Sequence, residues 1–228
     1  MRKVGRLGVA CILLTVLLSG CGQIGIPENV QEPTLAVTDG GQVTACMVGK
    51  FDKFYYDLDE LTEMARAEAA AYGGTLGKTA PVRVDGVKAS DDGGNRVIVT
   101  YIFDSPESYE GFLRTVLQFD ELLFYGTVSE AFAQGYGGGV TLKSVKDDSI
   151  MTGAELAQNQ EKHLIIYRPD IEEPSEDSEE ENITHVTIYC PEQVEYVSPG
   201  AVINDDGSVD TIWTEGDVYD PVYILLRK

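Results

Sequence analysis

The chain reads as an α+β protein, with helices and antiparallel strands in the N-terminal two thirds and a mainly β C-terminal segment. Three observations carry that reading. An amphipathic helical pattern begins at Asp57, where Leu58, Leu61, Ala65, Glu68, Ala69 and Tyr72 recur at mostly apolar three- and four-residue spacings. Two apolar runs, 82–87 and 96–103, flank Asp91-Asp92-Gly93-Gly94-Asn95, a strong hairpin signal. Beyond residue 182, short runs rich in β-branched and aromatic residues alternate with Pro, Gly and Asn-Asp turns.

The N-terminus divides into the parts of an export signal. Arg2, Lys3 and Arg6 form a basic start without an acid, and residues 9–18 (VACILLTVLL) are apolar but for Thr15. A stretch of about ten residues is shorter than the roughly twenty a spanning helix needs. Leu18-Ser19-Gly20-Cys21 then closes the segment and resembles the lipobox of bacterial lipoproteins. The resemblance implies that residues 1–20 are cleaved and that the Cys21 thiol carries a diacylglyceryl group, a two-chain anchor sufficient for stable attachment. The expected location is the cell membrane, facing outside the cytoplasm, with the membrane itself a partner through the lipid.

Removal of 20 residues from 228 leaves 208, enough for one large domain or two small ones. With 14 basic against 38 acidic residues remaining, the mature net charge is −24. That field repels nucleic acid, and no basic stripe offsets it. Cys46 and Cys190 are the thiols left after the signal and the lipid site. In an exported protein they form a possible disulfide; the alternative is two small buried side chains that never meet.

Residues 21–42, with Pro27, Pro33 and Gly40-Gly41, read as the lipidated Cys and a flexible tether spanning roughly 25 Å. An α+β domain is expected over 43–169. It starts with a strand at 43–48 and the helix from Asp57, which Gly73-Gly74 ends. The hairpin follows, and then a helix capped by Ser105 with Pro106 at its first position. Strands at 121–125, 140–145 and 163–168 alternate with short helices at 127–134 and 153–158. Residues 170–182 hold eight acids and no Lys or Arg, so they read as a solvated acidic linker; a cation-attracting tail is the other reading. Residues 183–228 form the β segment, packed on the α+β domain, with strands at 183–190, 193–197, 209–213 and 222–226. Asp57-Leu58-Asp59-Glu60-Leu61, residues 125–131 (YGTVSEA) and Tyr223-Ile224-Leu225-Leu226 are similar to stretches of uncharacterised lipoproteins of anaerobic Gram-positive bacteria, a likeness that implies no activity and carries over no functional residue.

Catalytic signatures fail one by one. His163 and His185 are the two histidines, fewer than a zinc site needs. Cys190 and His185 lie an odd number of residues apart, so a regular strand points them to opposite faces. Gly135-Tyr136-Gly137-Gly138-Gly139 lacks the Lys-Ser/Thr of a phosphate loop and reads as a helix stop. Residues 204–210 (NDDGSVD) resemble a calcium loop, but Gly207 at its sixth position would put Val202 and Trp213 where carboxylates belong. Turn chemistry is the better account. No catalytic residue, metal site or cofactor is therefore expected. Tyr189, Tyr196, Trp213, Tyr219 and Tyr223 gather in the β segment, either as core or as a face for carbohydrate or peptide. The expected function is a membrane-anchored cell-envelope lipoprotein acting as a non-catalytic binding or structural module with a carbohydrate, peptide or protein ligand. A carboxylate-dependent hydrolase of carbohydrate is the first alternative, and a transporter's solute-binding lipoprotein the second.

Overall fold

A computed structural model describes residues 25–77, 80–90, 95–170, 184–213 and 220–227. Cys21, the expected lipid site, and all but Asp170 of the expected acidic linker 170–182 lie outside the described residues. The class is α+β, with about 23% helix and 39% strand.

The first sheet is built around a strand the sequence pattern hides. Thr34–Val37 (β1), Val43–Lys50 (β2), Val82–Ala89 (β3) and Arg96–Phe103 (β4) join three strands from the far end of the chain: Thr184–Tyr189 (β9), Val202–Ile203 (β11) and Val209–Trp213 (β12). Their order is β11-β12-β9-β1-β2-β4-β3. β1 lies antiparallel to β2 and parallel to β9, with Leu35 opposite both Ala45 and Ile188. All four of its residues are buried. The tether expected through Gln42 therefore ends before Thr34. Its hydrogen-bonding groups are taken up by two neighbouring strands, which four isolated residues could not arrange for themselves.

The second sheet has the order β5-β8-β13-β10-β6-β7. It comprises Leu122–Thr127 (β5), Thr141–Ser144 (β6), Ile150–Thr152 (β7), His163–Arg168 (β8), Val194–Val197 (β10) and Val222–Leu226 (β13). Strands from beyond the acidic run thus complete both sheets instead of forming a sheet of their own.

Leu35, Val37, Val43, Ala45, Ile188 and Trp213 of the first sheet share one core with Ile165, Tyr167, Val197, Ile224 and Leu226 of the second. Alternation along β8 and β13 sends Leu164, Ile166, Tyr223 and Leu225 the other way, into a second core with Val128, Ala131, Leu142 and Leu156. Two short helices, Val128–Ala133 (α3) and Gly153–Leu156 (α4), cover that face. Each opens with a capping box, Thr127 with Glu130 and Thr152 with Glu155.

Leu58–Leu76 (α1) closes part of the first sheet's inner face, burying Ala65, Ala69 and Tyr72. The Asp57 carboxylate accepts from the N–H groups of Asp59 (2.8 Å) and Glu60 (3.0 Å). The helix runs through Gly73-Gly74 and stops at Gly77, whose left-handed backbone (φ 61) returns its N–H to the Gly73 and Gly74 carbonyls. Burial of Tyr72 and Gly73 holds the extra turn that local propensity alone would release. Pro106–Phe112 (α2), capped by the Ser105 hydroxyl, continues as a π-helical turn, Leu113–Leu117, that ends at left-handed Gln118.

Candidate functional site

A concavity of about 750 Å³ opens where the two sheets meet. Its wall is the turn Ser198-Pro199-Gly200 after β10, which is tied to β13 through Ser198. Ser198 N–H donates to the Tyr223 carbonyl (2.9 Å), and Tyr223 N–H donates to Ser198 Oγ (2.8 Å). Trp213 closes the inner end, its indole N–H 3.5 Å from the Asp220 carbonyl and its ring edge-on to Tyr167 at 5.6 Å. Gly138 and Gly139 form the facing lip. Burial pushes the Tyr223 phenol up, although a bond to the Gly137 backbone draws it back somewhat. Asp220 is the one carboxylate in the lining, which includes no His, Cys, Lys or Arg among the described residues. Such a wall offers an aromatic floor, backbone groups and a single negative charge. It can hold a small neutral or cationic ligand, and among the described residues its lining gives Asp220 no second carboxylate, His, Cys, Lys or Arg with which to share a proton.

Two other groups of ionisable residues lie inside the body. Glu121, just before β5, is half-buried as a residue, but its carboxylate is enclosed. Tyr109 of α2 and Tyr167 of β8 both donate to its Oε2, the latter at 2.9 Å. Burial raises the carboxyl above its ordinary range, the two phenols pull it back, and Asp170 pushes it further up. The three side chains fasten a helix to two strands and satisfy one another.

His163, opening β8, has Nδ1 3.4 Å from the Tyr125 hydroxyl and 3.5 Å from Glu192 Oε2. Burial first, then the Glu192 carboxylate, pushes Tyr125 up to about 12. Cys190 belongs to this neighbourhood, and burial alone pushes its thiol to about 12. A thiol so far from ionising is no nucleophile at neutral pH. His185 faces the other way, opposite Ile212 on β12, whereas Cys190 packs with the shared core.

The possible disulfide does not form: Cys46 and Cys190 are both free. Cys46 stands opposite Thr34, while Tyr189 stands opposite Ala36, with β1 between them. Ordinary sheet spacings put the two cysteines roughly 14 Å apart, twice the reach of a disulfide. They also face opposite sides. Cys46 packs with Val30 and Ile98, its sulfur 3.6 Å from Thr100 Oγ1.

The loop between β11 and β12 is held by turn chemistry. Asp206 Oδ1 accepts from Ser208 N–H (3.0 Å) and Oγ (2.6 Å), and Oδ2 accepts from the Tyr189 hydroxyl (3.0 Å). Among the described residues no three His, Cys, Asp or Glu side chains gather as metal ligands. The C-terminal aromatics do not make a common face. Trp213 enters the shared core, Tyr196 and Tyr223 the second core, and Tyr219 lies outside the described residues.

The exposed aromatics are elsewhere, in a loop that the helical and strand patterns pass over. Phe51, Phe54, Tyr55 and Tyr56 lie between β2 and α1, with Phe54 99%, Tyr55 63% and Tyr56 43% exposed. The signal available in the sequence was density: four rings in six residues without a helical or alternating period. The chain matches no protein-family model, no curated protein and no solved structure.

Proposed function

We propose that the protein is a lipid-anchored lipoprotein of the cell envelope whose body is a non-catalytic binding module, with its ligand in the cleft beside Trp213. The observation that carries the binding reading is the lining of that cleft. A carboxylate-dependent glycoside hydrolase needs two acids facing each other across roughly 5–9.5 Å, and among the described residues of this cleft Asp220 is the one acid, set beside aromatic rings and backbone groups. Its charge, in a chain of net −24 once the signal is removed, favours a neutral or cationic ligand over an anion.

Trp213 is the single tryptophan, so its emission reports on the cleft without labelling. Titration with a panel of neutral sugars, amino acids and short cationic peptides should find a class that both shifts that emission and raises the melting temperature. A panel that moves neither speaks against a ligand of these classes in the cleft. The anchor has its own test: Cys21→Ala should move the protein from the membrane fraction to the medium, or leave it unprocessed. A processed variant that stays with the membrane would place the anchor elsewhere.

A further inference from the structure

The rings of Phe54, Tyr55 and Tyr56 pack on one another and turn away from the body. Phe54 and Tyr55 meet edge-on at 5.4 Å, Tyr55 and Tyr56 at 5.1 Å, and Tyr56 rests 5.2 Å from Phe51. A phenyl ring left 99% exposed forgoes the roughly 1.5–3 kcal/mol its burial would contribute. A cluster of such rings on one loop marks a contact surface.

Its occupant is indicated by where the chain enters the fold. β2 ends with Lys50 opposite Arg96, and Phe51 N–H donates to the Asn95 carbonyl at 2.6 Å. The N-terminal segment docks against this same end of the sheet. Lys88 donates to the Glu28 carbonyl, Arg96 donates to Gln31 Oε1, and Ile26 and Val30 pack with Cys46, Val48 and Ile98. Ile26 lies five positions after Cys21, a reach of at most about 18 Å even when fully extended.

We infer that the Phe54-Tyr55-Tyr56 loop is a membrane contact, seated in the headgroup region beside the anchor. The inference rests on the proposal that Cys21 carries lipid. Phenyl and phenol rings suit that layer, where one end of the group is apolar and the other wet. Lys50 and Lys53, exposed at the same end, reach the phosphates while their stems lie along the boundary. The strongly acidic remainder is repelled by anionic headgroups, so the rings supply the attraction and the short tether supplies the effective concentration. The loop thereby fixes which end of the body faces the bilayer.

The test uses the mature chain from Cys21, coupled through that thiol to a maleimide lipid in phosphatidylcholine vesicles; Cys46 is buried, and Cys190, half-buried as a residue, keeps its thiol enclosed. In Phe54→Trp, the introduced indole should emit at shorter wavelength on vesicles than in solution and lose intensity to brominated acyl chains. The wild type, with Trp213 alone and buried, should show neither change. An unshifted, unquenched Phe54→Trp emission on vesicle-bound protein overturns the membrane contact and leaves the loop as a surface for a protein partner. Because chemical coupling supplies the tether whether or not a cell lipidates Cys21, failure of the anchor reading appears separately, in the fractionation of Cys21→Ala.

Discussion

Gly153 starts α4 pressed against the loop that follows α3. A Cβ there would meet the Gly137 carbonyl oxygen at 2.5 Å and the Gly139 nitrogen at 3.1 Å, both backbone atoms that cannot swing aside. Gly153→Ala is therefore expected to lose about 1–3 kcal/mol in urea unfolding, while Gly138→Ala, with open space around its Cβ, should lose far less. Glu121 makes a pH-dependent case. Its folded carboxyl binds a proton more tightly than the ordinary value of 4.5, so its ionisation opposes folding, and stability falls as pH rises through and above that value. Glu121→Gln should be more stable than wild type at pH 7, with the difference shrinking as pH falls towards 4.5 and gone below it. Glu121→Leu removes the acceptor of two buried phenols and should destabilise at every pH by roughly 1–3 kcal/mol per hydroxyl left unpaired. Melting curves from pH 3 to 8 check both variants.

Among elements, the short helices depend most on their ends. α3 and α4 have six and four residues, too few to persist by propensity, and each is closed by a reciprocal pair of hydrogen bonds. Thr127→Ala and Thr152→Ala should each lower stability by about 1 kcal/mol, measured by chemical unfolding. Both helices were legible in the sequence, at 127–134 and 153–158, and the structure adds the Thr-x-x-Glu boxes that close their starts. The strands β4, β8, β12 and β13 were also legible at their full bounds, since apolar runs between turn residues leave little room for another reading. β1 was not. Four residues between Pro33 and the Thr38-Asp39-Gly40-Gly41 turn acquire strand character only from two partners, one of them drawn from beyond the acidic run. The end of α1 was misplaced for a similar reason, since tertiary burial of Tyr72 overrides the local preference of Gly73-Gly74 to stop. Of the cleft, Trp213, Tyr223 and Ser198-Pro199-Gly200 were visible as strand and turn residues. Their meeting is a property of how the two sheets cross, which no local pattern records.

At the scale of the molecule, β1 decides how much of the N-terminus is dispensable. Starting the chain at residue 25 should leave the melting temperature unchanged, whereas starting it at residue 38 removes a strand paired on both sides and should abolish the cooperative transition seen by circular dichroism. Equal melting temperatures for the two would show that β1 contributes nothing to the first sheet.

The placement of the outermost strands bears on synthesis. The N-terminal strand sits between β2 and β9, and the C-terminal strand sits between β8 and β10, so each sheet has its gap filled by sequence-distant material. Neither can close while the ribosome still holds the last residues. Pairings such as Leu35 with Ile188 are slow to find. Until the C-terminal residues are released, β1 lacks its parallel partner, and β8 and β10 lack the strand that lies between them.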